Sequence, residues 1–378
     1  MMFGKKKAGA IAAGLSLVMA LAPAVPAFAA TTDTGVVVTK NLMLNEGSTV
    51  DATFSFTATA DQLDVQTKDG KTEKTAPTSE VPAITIADIE FKADSEQAGK
   101  NTKTTAIALA DGASFPHAGI YAWRIHETTD NQTGVQYNTE NNAYTLIANV
   151  VNAKNEDGTY KKDAEDNQVL EATYVVVKND TTTSITNQEK AGNEGAEFTN
   201  KYTEPADHDD DDDQNDGTLK ITKTVAGNQG DKTKDFSFTV TFTAPEVLPA
   251  NTTAEQYLAA ITVNGETDKV SNGVATFTLK DGQTATFGNI IAGTKYAVEE
   301  TAVAGYTPSW SATANGVTVT DKSGILIGEK ANSGTMTNKH EDVTPTGVIM
   351  NNAPFVVTLA VAAAGVVAYG SAKRKLEK

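Results

Sequence analysis

The chain has 378 residues, a formal net charge of −17 at pH 7 and no cysteine. Such an acidic chain is a poor partner for nucleic acid or anionic lipid, because both carry the same sign of charge. The lack of cysteine excludes disulfide bonds and thiol nucleophiles, so any covalent cross-link needs other chemistry. Thr, Val, Gly and Asn are abundant and long helical periodicity is scarce, which predicts an all-β fold.

Residues 1–30 have the pattern of a secretory signal peptide. Lys5–Lys7 precede an apolar stretch at Ala8–Ala22, and a small-residue motif, Ala-Phe-Ala, ends at Ala29. A basic segment, an apolar segment and small residues at the cleavage site are the parts of such a signal. We therefore expect export through the Sec pathway, with cleavage after Ala29 or Ala30.

An internal repeat divides the next part of the chain into two copies of one unit. The matching blocks, with the first copy given first, are Gly35–Lys40 and Gly217–Lys223, Phe54–Thr57 and Phe236–Thr239, Asp111–Phe115 and Asp281–Phe287, Trp123–Thr128 and Tyr296–Thr301, and Thr199–Lys201 and Thr337–Lys339. Because the blocks recur in the same order, we predict one fold used twice. The predicted domains are 31–205 and 217–341, joined by an acidic linker at 206–216.

Three polar residue types in each copy share a strand face with apolar side chains. Residues two apart in a β-strand point to the same face, and by this spacing one lysine, one glutamate and one asparagine per copy fall on an apolar face. These residues are Lys40, Glu127 and Asn200 in the first copy and Lys223, Glu300 and Asn338 in the second. Glu299 adjoins Glu300 but falls out of phase. The pattern predicts that each domain buries all three groups.

A buried polar set of this kind has two interpretations. The first is that no bond forms. Because buried charges need partners, the lysine and the glutamate form an ion pair beside the asparagine, or else twisted edge strands leave these side chains in water. The second is amide formation between lysine and asparagine. The recurrence of all three types in both copies favours the second interpretation.

Burial supplies the chemistry for such a bond, because it disfavours charged forms and so lowers the pKa of lysine and raises that of glutamate. A neutral lysine amine is a nucleophile, and the asparagine carbonyl is the electrophile. A protonated glutamate can polarise that carbonyl and then pass protons to the departing ammonia. The product is an intramolecular isopeptide bond. It forms once, so the protein is not a turnover enzyme.

The linker between the copies contains His208 and a run of aspartates at Asp209–Asp213. Like charges repel one another, which predicts a solvated, extended segment. A calcium site is the alternative interpretation, but the run lacks the glycine and the terminal glutamate of an EF-hand loop. We therefore predict no metal and no cofactor.

The C-terminal segment, 343–378, combines three features in a fixed order. It starts with a pentapeptide, Val343, Thr344, Pro345, Thr346 and Gly347. An apolar run at about 353–369 follows, long enough to span a bilayer, and a basic tail at 373–378 belongs on the cytoplasmic side. Together they resemble the cell-wall sorting signal of Gram-positive surface proteins, although a plain membrane anchor is the alternative. Removing both ends takes away six net positive charges and leaves a mature charge of −23.

The resemblance to sorting signals implies that a sortase cleaves between Thr346 and Gly347. It then holds Thr346 as a thioester and passes it to an amine. The usual motif is Leu-Pro-x-Thr-Gly, whereas here Val343 replaces the leucine and the proline stands one place later. The spacing matches the x-x-Pro-Thr-Gly variant of FctA-type streptococcal pilins.

Further motifs resemble FctA-type, streptococcal-like major pilins along both domains. These are Val-Thr-Lys-Asn-Leu at 38–42, the Gly-x-Tyr…Glu strand at 119–127, Phe-Thr-Asn at 198–200 and Lys-Asp-Phe at 234–236. The resemblance implies two Ig-like β-sandwiches end to end. It also implies a Lys40–Asn200 bond with Glu127 as its catalytic acid, and a second set formed by Lys223, Asn338 and Glu300. Two features depart from the family: Met336 replaces the counterpart of Phe198, and the aspartate run is unusually long.

The resemblance implies the shaft subunit of a sortase-assembled pilus in a Gram-positive cell wall, serving adhesion. The implied partners are a sortase, identical subunits, minor pilins and peptidoglycan, with membrane contact only in the precursor. The alternative is a single-copy, wall-anchored adhesin or spacer. A hydrolase is not favoured, since the chain has no His-Glu-x-x-His, Walker or Gly-x-Ser-x-Gly motif.

An insertion in the first copy holds the candidate lysines for polymerisation. The glutamate and the asparagine are 73 residues apart in the first copy and 38 in the second. The segment 178–195 is polar, which predicts an exposed loop that a bulky acyl-enzyme can reach. FctA-type pilins hold their acceptor lysine close to the position of Lys190. The candidates to capture Thr346 of the next subunit are, in order, Lys190, Lys178 and then Lys161 with Lys162.

Overall fold

The computed structural model describes residues 33–66, 71–93, 96–139, 142–164, 166–178, 184–185, 195–206 and 217–341. The signal peptide, nearly all of the acidic linker, Lys190 and the sorting segment lie outside the described residues. Up to His340, the described residues form one compact unit. Across the described ranges, no helix is long and apolar enough to cross a membrane.

Residues 33–202 form a β-sandwich with two main sheets. Its strands are β1 (Asp33–Leu44), β2 (Ala52–Phe54), β3 (Phe56–Asp61), β4 (Asp64–Gln66), β5 (Thr72–Lys74), β6 (Ile84–Ile86), β7 (Ile89–Phe91), β8 (Gly99–Leu109), β9 (Gly119–Glu127), β10 (Val135–Gln136), β11 (Ala143–Asn152), β12 (Leu170–Lys178), β13 (Ser184–Ile185) and β14 (Ala196–Tyr202). The main sheets have the orders β10-β14-β1-β8-β6 and β12-β11-β9-β3, and β13-β4-β5 and β2-β7 form smaller ones. A short 3₁₀ helix lies at Thr78–Glu80.

A second β-sandwich is built from residues 219–339. Its strands are β15 (Leu219–Ala226), β16 (Phe236–Thr243), β17 (Thr262–Val263), β18 (Val270–Ser271), β19 (Val274–Leu279), β20 (Thr284–Gly288), β21 (Lys295–Glu300), β22 (Thr307–Ala314), β23 (Val317–Val319), β24 (Ile325–Leu326) and β25 (Ser333–Lys339). Its sheets have the orders β17-β20-β15-β25-β22-β23 and β18-β19-β16-β21-β24. One α-helix, α1 (Ala254–Ala260), begins with a capping box between Thr253 and Gln256.

Each sandwich buries its own apolar core. Trp123 and Phe198 lie in the first core, and Phe238 and Met336 lie in the second. In β14 buried residues alternate with outward-facing ones, as expected of a strand with one face on a core. The predicted class, all-β with tandem Ig-like sandwiches, is confirmed in the described residues.

The first and last strands of each sandwich are direct neighbours and run parallel. In the first sandwich Leu42 of β1 lies opposite Asn200 of β14. In the second, Val225 of β15 lies opposite Asn338 of β25. Gly195 permits this approach at the start of β14, because its φ is +79° and a Cβ there would lie 1.9 Å from the Val37 carbonyl oxygen.

Four of the five predicted repeat blocks occupy equivalent strands, but the Asp-Gly block does not. Asp111 and Gly112 follow β8, the strand that pairs with β1, whereas Asp281 and Gly282 precede β20, the strand that pairs with β15. That part of the alignment was wrong. Asp-Gly is common in tight turns, so the same dipeptide arose in two different turns, each of which joins strands of the two facing sheets.

The turn after β1 contacts the second sandwich. The Asn45 side chain donates to the Val247 carbonyl and accepts from its N–H, both at 2.8 Å. One carboxylate oxygen of Glu329 accepts from the Thr49 N–H at 2.8 Å and from its hydroxyl at 2.5 Å. Glu329 and Glu204 are both buried here. Burial raises the pKa of Glu329, and the nearby Glu204 carboxylate adds to the shift.

Candidate functional site

The first site lies between the two main sheets of the first sandwich. Lys40 comes from β1 and Asn200 from its parallel neighbour β14, where Asn200 lies opposite Leu42. Lys40 and Leu42 are two residues apart, so the lysine and the asparagine share the inward face. Glu127 is the last residue of β9 in the facing sheet. The structure therefore brings together the three side chains that the sequence predicted.

The glutamate contacts both prospective reactants. Glu127 Oε1 lies 2.6 Å from Lys40 Nζ. The Asn200 Nδ2 group donates to Oε1 at 3.1 Å and to Oε2 at 3.0 Å. The Asn200 carbonyl oxygen, Oδ1, accepts from the main-chain N–H of Asn138 at 3.1 Å. Because the carboxylate lies on the amino side of the amide, it is placed to move protons, whereas the carbonyl is polarised by the Asn138 N–H.

Burial sets the electrostatics of this site. Lys40 is fully buried, and the exposed fractions of Glu127 and Asn200 are 5% and 1%. Burial lowers the pKa of Lys40 to about 8, although the Glu127 carboxylate opposes the shift. A decrease of this size raises the fraction of neutral amine at pH 7 by roughly 300-fold. The ring centroid of Phe54 lies 4.3 Å from Nζ, so an aromatic face takes the place of water on that side.

The second sandwich repeats the arrangement with a longer contact between lysine and glutamate. Lys223 Nζ lies 3.3 Å from Glu300 Oε1 and donates to the Met336 carbonyl at 3.3 Å. The Asn338 Nδ2 group donates to Glu300 Oε1 at 3.0 Å. Lys223 is fully buried and Asn338 is 2% exposed. Burial lowers the pKa of Lys223 against the opposing effects of Glu300 and Asp281.

The neighbouring acid is excluded from this second site by its orientation. The side chain of Glu300 is 3% exposed, whereas Glu299 faces outward. Glu300 lies opposite Phe238, as Glu127 lies opposite Phe56 in the first sandwich. The two glutamates therefore occupy the same position in the repeated fold.

Sequence reasoning missed two parts of these sites. The Phe236 ring lies 4.3 Å from Lys223 Nζ, as the Phe54 ring does from Lys40. The Phe-Ser-Phe motif in both copies was the available signal, but it indicated only a shared strand. The second part is the Asn138 N–H. A main-chain donor has no signature in residue type, so only the fold reveals it.

A third Lys–Glu–Asn set on the outer face of the first sandwich shows what burial contributes. Asn41 Nδ2 donates to Glu197 Oε1, and Lys100 Nζ lies 3.3 Å from the same oxygen. The contacts resemble those of the inner sites, but the Lys100 side chain is 52% exposed. This set therefore lacks the desolvated lysine of the inner sites, and it offers a matched control.

Comparisons with known proteins match the second sandwich by itself and nearly the whole chain. The family described as Domain of unknown function (DUF7601) matches residues 217–340, which is the second sandwich. A protein named Pilin from Streptococcus pyogenes serotype M1 is 26% identical over 371 residues, covering 92% of this chain and 94% of the relative. The chain is similar to the streptococcal pilins. The predicted resemblance is thus confirmed along nearly the whole chain, and it supports a pilus subunit at the cell surface.

Two solved structures are also similar. The crystal structure of the major pilin from Streptococcus pyogenes has 20% identity and a TM-score of 0.33, covering 81% of this chain and 98% of that one. A structure titled as a pilus-presented adhesin has 14% identity and a TM-score of 0.26, covering 80% of this chain and 99% of that one.

Of the four candidate acceptor lysines, three lie within the described residues. Lys178 ends β12 and is exposed. Lys162 is exposed and lies 2.8 Å from Asp166, while Lys161 is partly buried. Lys190 and the pentapeptide that begins at Val343 lie outside the described residues, so their assignments stay predictions.

Proposed function

We propose that this protein is the major shaft subunit of a sortase-assembled pilus in a Gram-positive cell wall, serving adhesion. Two intramolecular isopeptide bonds, Lys40–Asn200 and Lys223–Asn338, would stabilise each subunit. The observation that carries the proposal is the repeated contact, between the two sheets of each sandwich, of a buried lysine and a buried asparagine with one glutamate. The similarity to a streptococcal pilin over 92% of the chain supports it.

The proposed bond forms by transamidation, in which the lysine amine replaces the amide nitrogen of the asparagine. The Nζ lone pair of neutral Lys40 attacks Cγ of Asn200, and the carbonyl electrons move onto Oδ1. The proton released from Nζ passes to Glu127 and from there to Nδ2, which departs as ammonia when its bond to Cγ breaks. One C–N bond forms and one breaks, so no oxidant or cofactor is needed. Lys223, Glu300 and Asn338 would react in the same way.

The two bonds would join the first strand of each sandwich to its last. Tension that enters along a terminal strand would then pass through a covalent bond to the neighbouring strand and leave the rest of the sandwich unloaded. Such a path suits a subunit that carries force in a filament, and it needs no cysteine. In the proposed assembly, a sortase transfers Thr346 of one subunit to Lys190 of the next, with Lys178 as the second candidate. The final acceptor is peptidoglycan, and minor pilins complete the fibre.

Mass spectrometry tests the cross-links. Intact mass of residues 31–341 is expected to fall below the sequence mass by two ammonia molecules, and peptide mapping should find Lys40 joined to Asn200 and Lys223 to Asn338. The Lys100→Ala chain is the matched control, because the exposed amine of Lys100 on the outer face should not react. An intact mass equal to the sequence mass would show that neither bond forms.

A wall extract tests the polymer. After boiling in detergent, an antibody against the chain is expected to reveal a ladder of covalent multimers. A single band would instead indicate the alternative function, a single-copy adhesin or spacer attached to the wall.

A further inference from the structure

One hydrogen bond at the first site is directed at the atom where negative charge develops during the proposed reaction. The Asn200 Oδ1 atom accepts from the Asn138 N–H at 3.1 Å. The strand β10 produces this contact. Val135 and Gln136 pair with Tyr202 and Lys201 of β14, so the chain beyond Gln136 runs past Asn200.

The second site has no counterpart to this donor. Asn338 Oδ1 is buried and has no hydrogen-bond partner within the part of the chain that the structure describes. The strand beside β25 on that side is β22, and the residue opposite Asn338 is Pro308. The two sites therefore share the lysine, the glutamate and the aromatic ring but differ in the environment of the reacting carbonyl.

We infer that the main-chain N–H of Asn138 is an oxyanion donor for formation of the Lys40–Asn200 bond. The inference rests on the proposed function, because it requires that this bond forms. When Nζ attacks Cγ, the carbonyl electrons move onto Oδ1 and the Asn138 N–H stabilises the resulting negative charge. A donor that is already in place needs no rearrangement at the moment of reaction. Glu127, on the opposite side of the amide, then carries the proton from Nζ to the departing Nδ2.

The donor can be tested with two chains that carry the same side chain at position 138 and differ only in the main-chain N–H. The Asn138 side chain is exposed, so alanine can replace it with little loss of packing. In cell-free synthesis of the full chain, lactate at position 138 gives an ester that lacks the N–H, and Asn138→Ala keeps the amide with the same methyl group. An ester at position 139 is the positional control. Samples quenched over time are digested, and mass spectrometry follows the two cross-linked peptides separately.

The Lys40–Asn200 peptide is expected to appear at least about tenfold more slowly in the ester chain than in the Asn138→Ala chain. Loss of one oxyanion donor from an enzyme costs roughly 10²–10³ in rate. The Lys223–Asn338 peptide should appear at the same rate in both chains, because its site lies in the second sandwich. It therefore serves as the internal reference. Asn138→Pro removes the same N–H by another route, and it should slow the same peptide.

Equal rates of the first cross-link in the ester and alanine chains would overturn the inference while leaving the proposed bonds intact. Absence of both cross-links from the unmodified chain would instead overturn the proposed function. Protease resistance of the ester and alanine chains on an Asn200→Ala background reports folding without the bond. Equal resistance there, together with slower cross-linking, assigns the effect to the reaction and not to a misfolded sandwich.

Discussion

Replacing Glu127 tests the central chemical claim, because this carboxylate contacts both reactants of the first site. Glu127→Gln keeps the shape of the side chain but cannot accept the proton from Lys40. The variant is expected to form only the second bond, so its intact mass should fall below its own sequence mass by one ammonia instead of two. The Lys40–Asn200 peptide should be missing from its digest, and the Lys223–Asn338 peptide should remain.

The expected loss of stability follows from the length of chain that the bond closes. Lys40 and Asn200 are 160 residues apart. In the chain-entropy description of cross-links, a loop of this length stabilises the fold by roughly 5 kcal/mol. For a domain of this size, such a loss lowers the melting temperature of the first sandwich by about 10–20 °C. Glu127→Ala should melt lower still, because it also removes the side-chain oxygen and the buried volume that glutamine keeps beside Lys40 and Asn200.

Asn200→Ala separates the two effects, because it removes the electrophile and keeps the contact between Lys40 and Glu127. Calorimetry of the three variants should give a smaller decrease for Asn200→Ala than for Glu127→Ala. Lys100→Ala is the unaffected control in mass and in melting temperature. A Glu127→Gln chain that still loses two ammonia molecules would refute the assigned role. Loss of both bonds in that chain would refute the independence of the two sites.

The other predictions concern the second site, the polymer and the contact between the sandwiches. Glu300→Ala should prevent only the second bond, and a larger effect of Glu299→Ala on the mass would show that the assigned strand phase is wrong by one residue. Lys190→Ala should abolish the multimer ladder in wall extracts and leave a wall-attached monomer, whereas an unchanged ladder would transfer the role to Lys178. Because burial raises the pKa of Glu329 above its ordinary 4.5, ionising it costs more in the folded chain than in the unfolded chain. Glu329→Gln should therefore raise the melting temperature at pH 7, and this gain should shrink as the pH falls towards 4.5. An equal gain at both pH values would contradict the raised pKa of Glu329.

The failed repeat block shows where pattern matching stops. The block at Asp111 aligned with Asp281 through turn chemistry alone, and turn dipeptides recur wherever a tight turn needs them. The lysine, glutamate and asparagine blocks aligned for a different reason, since each combines a strand period with a polar residue on an apolar face. Burying a polar residue is costly, so the repetition of these residues indicated equivalent positions more reliably than the repetition of the Asp-Gly dipeptide did.

The sequence by itself determined that the fold is all-β and used twice, and that Lys40 and Asn200 each point inward. The fold class follows from composition and the repeat from recurring blocks, while the inward direction follows from the two-residue period of a strand, which is a local property. Tertiary structure decided the rest. The parallel register of β1 and β14 makes Lys40 and Asn200 neighbours, and the facing sheet supplies Glu127. Tertiary structure also decides that Lys40 and Lys223 are buried and that Lys100 is exposed, because desolvation depends on every element packed around a side chain. The Asn138 N–H belongs to the main chain, which every residue except proline can provide, so only the path of the folded chain could direct it at the reacting carbonyl.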